Sequence, residues 1–195
     1  MKEEKHNKIV FVCTGNTCRS PMAEVMLKKR LKDKKLGGAK VGSAGLNPSI
    51  GSPVNEKTAQ TLINKGFKVA SFAKKKAQKL TDKVLKDALA IVCMTEKQRD
   101  ILMDKRWQIL RKAGMENIEN NVYAFSEFTG YEILDPYGRD LECYHYVYEL
   151  LDGGMDALID KIIPLEQREE YKTPPRKPRA KKSENTQKTE QISLF

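Results

Sequence analysis

Two short runs, KIVFV at 8–12 and ALAIVCM at 88–94, constrain the fold of this chain more than any other feature. A strand with one wet face alternates apolar and polar residues. A run with almost no polar position needs cover on both faces, which a parallel sheet between helices provides. The segments around these runs carry helical spacing. Ala23, Met26, Leu27 and Leu31 recur at that spacing behind Pro21, which suits a helix start, and LGG at 36–38 is a helix stop. AKVGSAG at 39–45 reads as a second strand, followed by the loop LNPSIGSP. Val54–Lys65 reads as a helix ending at Gly66, and Thr81 caps a short helix through Leu85. Thr95 caps another through about Trp107, and NVYAF at 121–125 makes a fourth strand. Leu141–Ile163 forms a long helix with a stripe of Tyr144, Val147, Leu151, Leu158 and Ile162, stopped by Pro164. Strands alternate with helices throughout, so the fold class is α/β: a three-layer sandwich with four parallel strands. Ligands bind such sheets where strands end and loops lead into helices.

The chain of 195 residues is long enough for one full core. Its composition changes near residue 165: the run EQREEYKTPPRKPRAKKSENTQKTEQ is charged, proline-bearing and almost free of apolar residues. The expected division is a globular domain over 1–165 and a basic, disordered tail over 166–195. The excess of 36 Lys+Arg over 26 Asp+Glu gives +10 and favours anionic partners, though specific nucleic-acid binding is not expected of the core. No stretch has the apolar length of a membrane span and no secretory segment is visible. Cys13, Cys18, Cys93 and Cys143 fit no zinc spacing, so the expected location is the reducing cytoplasm, with neither metal nor cofactor.

The first strand runs directly into CTGNTCRS at 13–20 and then a helix. Loop N–H groups and the helix N-terminus converge there, which makes an anion site. A cysteine at such a place is stabilised as the nucleophilic thiolate. Arg19 adds a planar cation whose fork matches two phosphate oxygens. Gly15 lets the backbone close, Asn16 tolerates a left-handed conformation, and the Ser20 hydroxyl is within reach of sulfur. These parts suit attack of sulfur on phosphorus. A bare Cys-(five residues)-Arg pattern is weak; its force comes from the strand before it and the helix after it. No Gly-Lys-Ser/Thr follows, so it is not a nucleotide-binding loop.

VCTGNTCRSPMAE resembles the active-site loop of the low-molecular-weight protein-tyrosine phosphatase family, a resemblance that spans about residues 8–163 and includes GSAGL at 42–46 and DPYG at 135–138. It implies a flavodoxin-like sheet of strand order 2-1-3-4. It further implies Cys13 as nucleophile, Arg19 as the cation on the transferring phosphoryl group, and Ser20 as the hydroxyl that stabilises the thiolate. Thr14, Gly15, Asn16, Thr17 and Cys18 complete the phosphate-binding loop, with Asn16 and Ser43 as the pair that holds its shape. Asp135 matches the general acid that protonates the leaving group and then activates water; read alone, Asp-Pro-x-Gly is also good turn chemistry. The family often has a histidine after its second helix, where this chain has Lys75, so its loop support is expected to be wired differently.

Thr17 bears on the substrate. Tyrosine-directed members usually carry a branched aliphatic residue there, whereas CTGNTCR resembles the bacterial protein-arginine phosphatases of the family. A threonine is small and polar enough to sit beside a planar guanidinium, Asp135 can bond that guanidinium, and Tyr137 supplies one aromatic wall. The resemblance thus implies hydrolysis of phosphoarginine in proteins through a phosphocysteine, with phosphotyrosine as the alternative. Arsenate reductase is a lesser one, since neither Cys93 nor Cys143 makes a resolving pair. Cys18, five residues from Cys13, is either a partner for a protective reversible disulfide or a packing thiol. His6 and His145 stand isolated, and Lys74-Lys75-Lys76 reads as a solvated basic patch, with a role in attracting acidic substrates as the alternative. The ending TEQISLF resembles a peptide that docks into the sliding clamp of DNA replication, so Gln191–Phe195 is a candidate docking segment against the plainer reading of a frayed terminus.

Overall fold

The computed structural model describes residues 7–115 and 120–172. Its elements run β1 (Lys8–Cys13), α1 (Arg19–Asp33), β2 (Lys40–Gly45), α2 (Glu56–Asn64), α3 (Asp82–Asp87), β3 (Ala90–Cys93), α4 (Glu96–Lys112), β4 (Val122–Ala124), α5 (Ser126–Thr129) and α6 (Leu141–Ile162). The four strands form one parallel sheet in the order β2-β1-β3-β4. Alternate residues of the central strands feed opposite cores, because strand side chains alternate in direction. Ile9, Phe11, Ala90 and Val92 meet α1 and α6, with Met22, Leu27, Tyr144, Leu151 and Met155 buried there. Val10, Val12, Ile91 and Cys93 face Leu85 of α3 and Leu102 of α4. The apolar runs that suggested a sheet covered on both faces are therefore divided between the two layers.

Local chemistry sets the helix ends. Thr81 accepts a hydrogen bond from Val84 N–H, Thr95 from Gln98 N–H, and Asp140 from Cys143 N–H. Several boundaries differ from those read off the sequence. Helix α1 starts two residues before Pro21, at Arg19, which puts the proline in the first turn, where its missing N–H still costs nothing. The helix ends at Asp33, and the reversal is made by Lys35 at φ 61° rather than by the glycines. Gly38 serves a close approach instead: its N–H donates to Tyr171 C=O, and a Cβ there would lie 2.9 Å from that oxygen. Helix α2 begins at Glu56 rather than Val54, with Asn55 as its cap. Helix α4 runs on to Lys112, since Leu102, Arg106 and Leu110 continue its buried stripe while Trp107 points to solvent.

Order also continues past the boundary expected at 165. Leu165–Tyr171 form a 3-10 turn, with Tyr171 packed on the core. Helix α5 and the 3-10 turn at Val69–Ser71 are too short to carry a periodic signal. His6, the rest of the expected tail and Gln191–Phe195 lie outside the described residues. No helix among the described residues is long and apolar enough to cross a membrane.

Candidate active site

The loop between β1 and α1 lies at the carboxyl end of the sheet, and its backbone is fixed from outside. Cys13 C=O accepts from Leu46 N–H at 3.0 Å, Thr14 C=O from Asn47 N–H at 3.0 Å, and Thr17 C=O from Asn55 N–H at 3.0 Å. In a trans peptide the N–H points opposite to the C=O. The N–H groups of Thr14, Gly15 and Cys18 are thus turned into the concavity. Cys18, the residue before α1, offers no side-chain cap to the helix start. The result is an anion cradle with a thiol at its floor. Asn16 N–H donates to Cys13 Sγ at 3.2 Å, and Ser20 Oγ lies 3.0 Å from the same sulfur.

Asn16 sits at the centre of the support. It is 1% exposed with φ 54°, in the left-handed region that asparagine tolerates. Its Nδ2 donates to Ser20 Oγ at 2.9 Å and to Ser43 Oγ at 2.8 Å, while its Oδ1 accepts from Gln78 N–H at 3.0 Å. Gln78 Nε2 also donates to Ser43 C=O at 2.8 Å. Lys75 points elsewhere, into an ion pair with Glu24, whose other oxygen pairs with Lys28. Burial alone would raise the Glu24 carboxyl, but the two lysines outweigh it and hold it below the usual glutamate range. On the other side of the loop, Gln98 joins Met94 N–H to Thr14 Oγ1, at 3.1 and 3.3 Å.

Arg19 is 4% exposed and spans from this cradle to the DPYG loop. Its Nη1 donates to Ile133 C=O at 3.1 Å and its Nη2 to Asp135 Oδ2 at 2.5 Å. Its Nε is buried with no hydrogen-bond partner among the described residues. An orphaned buried guanidinium N–H beside a thiol is a donor suited to an oxyanion. Asp135 Oδ1 accepts from Tyr137 N–H at 3.2 Å, and its side chain is half exposed. A pocket of about 340 Å³ lies over these groups. Cys13, Thr14, Gly15, Thr17, Cys18 and Arg19 line it together with Asp135 and Tyr137 of the DPYG loop and Ser49 and Ser52 of the loop after β2.

The residues singled out in the sequence are therefore brought together at one cavity, with Asn16, Ser20 and Ser43 behind its lining. Cys93 is buried in β3, where burial pushes its thiol up, and Cys143 sits in the first turn of α6; both are free. His145 bonds Asn64 across α6 and α2. Sequence reasoning passed over Gln78, Gln98, Ser49 and Ser52; Gln98 reaches the site from the first turn of α4, Ser49 and Ser52 from the loop after β2 and Gln78 from the segment before α3, and none carries a motif. Chemically, the arrangement offers a thiol, inward backbone donors, a guanidinium and a carboxyl within one cavity, the set that sulfur attack on a tetrahedral oxyanion requires.

Comparison with known proteins bears on the family and the fold. Residues 8–168 match the family described as low molecular weight phosphotyrosine protein phosphatase. A protein-arginine-phosphatase of Geobacillus stearothermophilus is 28% identical over 158 residues, covering 80% of this chain and 95% of that protein. The low molecular weight protein-tyrosine-phosphatase PtpA of Staphylococcus aureus is 31% identical over 159 residues, covering 80% and 93%. The solved structure of the YwlE arginine phosphatase from Geobacillus stearothermophilus superposes with a TM-score of 0.67 at 28% identity, covering 86% of this chain and 99% of that one.

Proposed function

The chain belongs to the low molecular weight phosphotyrosine protein phosphatase family, and on that premise we propose that it hydrolyses phosphoarginine in proteins. The observation that supports this reading is Thr17, which lines the pocket where a bulkier aliphatic group would narrow it. A phosphorylated guanidinium carries N–H donors and needs acceptors. The carboxyl of Asp135, which keeps an acceptor oxygen when it carries a proton, and the hydroxyls of Thr17, Ser49 and Ser52 surround the same 340 Å³ cavity. Similarity to a protein-arginine-phosphatase supports the same reading. Phosphotyrosine is the second reading, favoured by Tyr137, 72% exposed at the mouth and free to stack on a phenol ring, and by similarity to a tyrosine phosphatase.

In the proposed reaction the Cys13 thiolate attacks phosphorus while the loop N–H groups and Arg19 take the charge of the phosphoryl oxygens. A phosphoryl dianion displaces Asp135 from Arg19, and the carboxyl so released takes up a proton from water and faces the leaving group. The P–N bond breaks as Asp135 gives its proton to the departing guanidine nitrogen. Water then attacks the phosphocysteine, Asp135 takes the water's proton, and the S–P bond breaks to return thiolate and inorganic phosphate. For phosphotyrosine the same steps break a P–O bond.

The test compares hydrolysis of matched phosphoarginine and phosphotyrosine peptides by wild type, Thr17→Ile and Cys13→Ser. A phosphoarginine preference that reverses in Thr17→Ile is expected, with no turnover in Cys13→Ser. A phosphotyrosine preference in wild type would replace the substrate and keep the mechanism; turnover in Cys13→Ser would remove the mechanism.

A further inference from the structure

Gly153 and Gly154 stand side by side in the interior of α6, although glycine is the poorest helix former after proline. In a helix, the side chains three and four residues further on lean back over a carbonyl group. The two glycines hold those positions relative to Leu150, so the Leu150 carbonyl is left uncovered. Tyr131 reaches it: the Tyr131 hydroxyl donates to Leu150 C=O at 3.2 Å. A Cβ at Gly153 would lie 3.0 Å from that hydroxyl oxygen. A Cβ at Gly154 would lie 2.6 Å from Thr129 Cγ2 and 2.8 Å from Phe125 Cζ. The helix therefore carries a notch that seats the chain from Phe125 to Tyr131.

The seated segment leads straight to the catalytic carboxyl. Gly130, at φ 80°, turns the chain out of α5, and Tyr131 N–H donates to Thr129 Oγ1 at 3.3 Å, which sets the direction of exit. The next residues are tied to the end of β3 and the start of α4. Glu132 Oε1 accepts from Glu96 N–H at 2.6 Å, and Ile133 N–H donates to Met94 C=O at 3.0 Å. Ile133 C=O then accepts from Arg19 Nη1, and Asp135 Oδ2 from Arg19 Nη2, at 3.1 and 2.5 Å. The ties at 132 and 133 meet at one point, about which the segment can swing. The Tyr131 hydroxyl on α6 is a second fixed point, and two points set the angle at which Asp135 leaves. We infer that Tyr131, seated in the glycine notch of α6, is a positioning residue for the Asp135 carboxyl. The inference rests on the reading of Asp135 as general acid.

The test compares kcat/KM for two aryl phosphates that differ in their need of an acid. Phenyl phosphate has a poor leaving group that must be protonated; 2,4-dinitrophenyl phosphate loses its phenolate unaided. Because kcat/KM covers only the steps up to departure of the phenol, hydrolysis of the phosphocysteine does not enter. Tyr131→Phe keeps the ring and removes the hydroxyl. Gly153→Ala favours the helix itself but puts a methyl against that hydroxyl, and is the second, independent probe. Each lowers kcat/KM for phenyl phosphate by about fivefold, the worth of one ordinary hydrogen bond, and leaves the dinitrophenyl ester unchanged. In an Asp135→Asn background Tyr131→Phe has no further effect, because no acid remains to be placed. An equal fall for both esters overturns the inference, since it would mean that Tyr131 supports the cradle or the fold as a whole. So does an unchanged phenyl phosphate rate in both variants, or a fall that persists without Asp135. Asp135→Asn alone tests the underlying reading: it slows phenyl phosphate far more than the dinitrophenyl ester, and equal slowing of the two would remove the acid assignment and this inference with it.

Discussion

Replacing Asn16 by alanine removes the hub of the loop. Three hydrogen bonds go with it, to Ser20, Ser43 and Gln78 N–H, at 2.9, 2.8 and 3.0 Å. At roughly 1 kcal/mol net for each, that is about 3 kcal/mol. Alanine at φ 54° adds about 1 kcal/mol of Cβ strain, for a total near 4 kcal/mol. For a domain of this size each kcal/mol moves Tm by about 2–4 °C, so a fall of roughly 8–16 °C is expected. Asn16→Gly loses the same bonds without the Cβ and should recover about 1 kcal/mol. Urea unfolding followed by circular dichroism gives both free energies. The kcat/KM of Asn16→Ala should drop by about two orders of magnitude as the donors shift from the phosphoryl oxygens. A loss below about 1 kcal/mol for Asn16→Ala, or a glycine variant no more stable than the alanine one, would refute the hub.

Three further outcomes follow from other contacts. Asp135→Asn should slow turnover by about 10²–10⁴, yet tighten inhibition by inorganic phosphate about two- to fivefold, since a half-exposed carboxylate no longer competes for Arg19; weaker phosphate inhibition would contradict the competition. Gly154→Ala puts a methyl 2.6 Å from Thr129 Cγ2 and against the Phe125 ring; differential scanning calorimetry should show about 1–3 kcal/mol lost, and an unchanged Tm would mean α6 can shift. Glu24 has its folded pKa below its unfolded one, so its pairs with Lys28 and Lys75 stabilise fully above the ordinary glutamate value and fade as pH falls through the lower, folded one. The stability gap between wild type and Glu24→Gln should therefore shrink on acidification, and urea midpoints that keep or widen it would sink the claim.

What was legible in the sequence was contiguous. The strand, the CTGNTCRS loop and the start of α1 lie within one stretch, so the cradle is visible before any folding. The sheet is legible because β1 and β3 carry no solvent face. The hidden parts reach the loop from afar: Gln78 is 62 residues from Asn16, Gln98 is 84 from Thr14, and Tyr144 is 126 from Cys18. Nothing local distinguishes them from other polar or buried residues. Lys75 was legible as a departure and not as a partner of Glu24, because the pairing depends on how the 72–80 segment crosses α1. The end of α1 misled for a conformational reason: Lys35 takes the left-handed turn, leaving Gly38 for a close approach to Tyr171.

That contact between Gly38 and Tyr171 also fixes where the last described residues lie. Gly38 precedes β2, and Asn7 beside it precedes β1, with Asn7 Nδ2 donating to Gly38 C=O at 3.1 Å. Every strand of the sheet points away from this edge, toward the phosphate cradle. Six residues of strand separate the two, about 20 Å. Both ends of the described chain thus depart from the pole opposite the pocket. A probe attached at Asn7 or Lys172 therefore starts from behind the cradle and leaves the mouth facing solution.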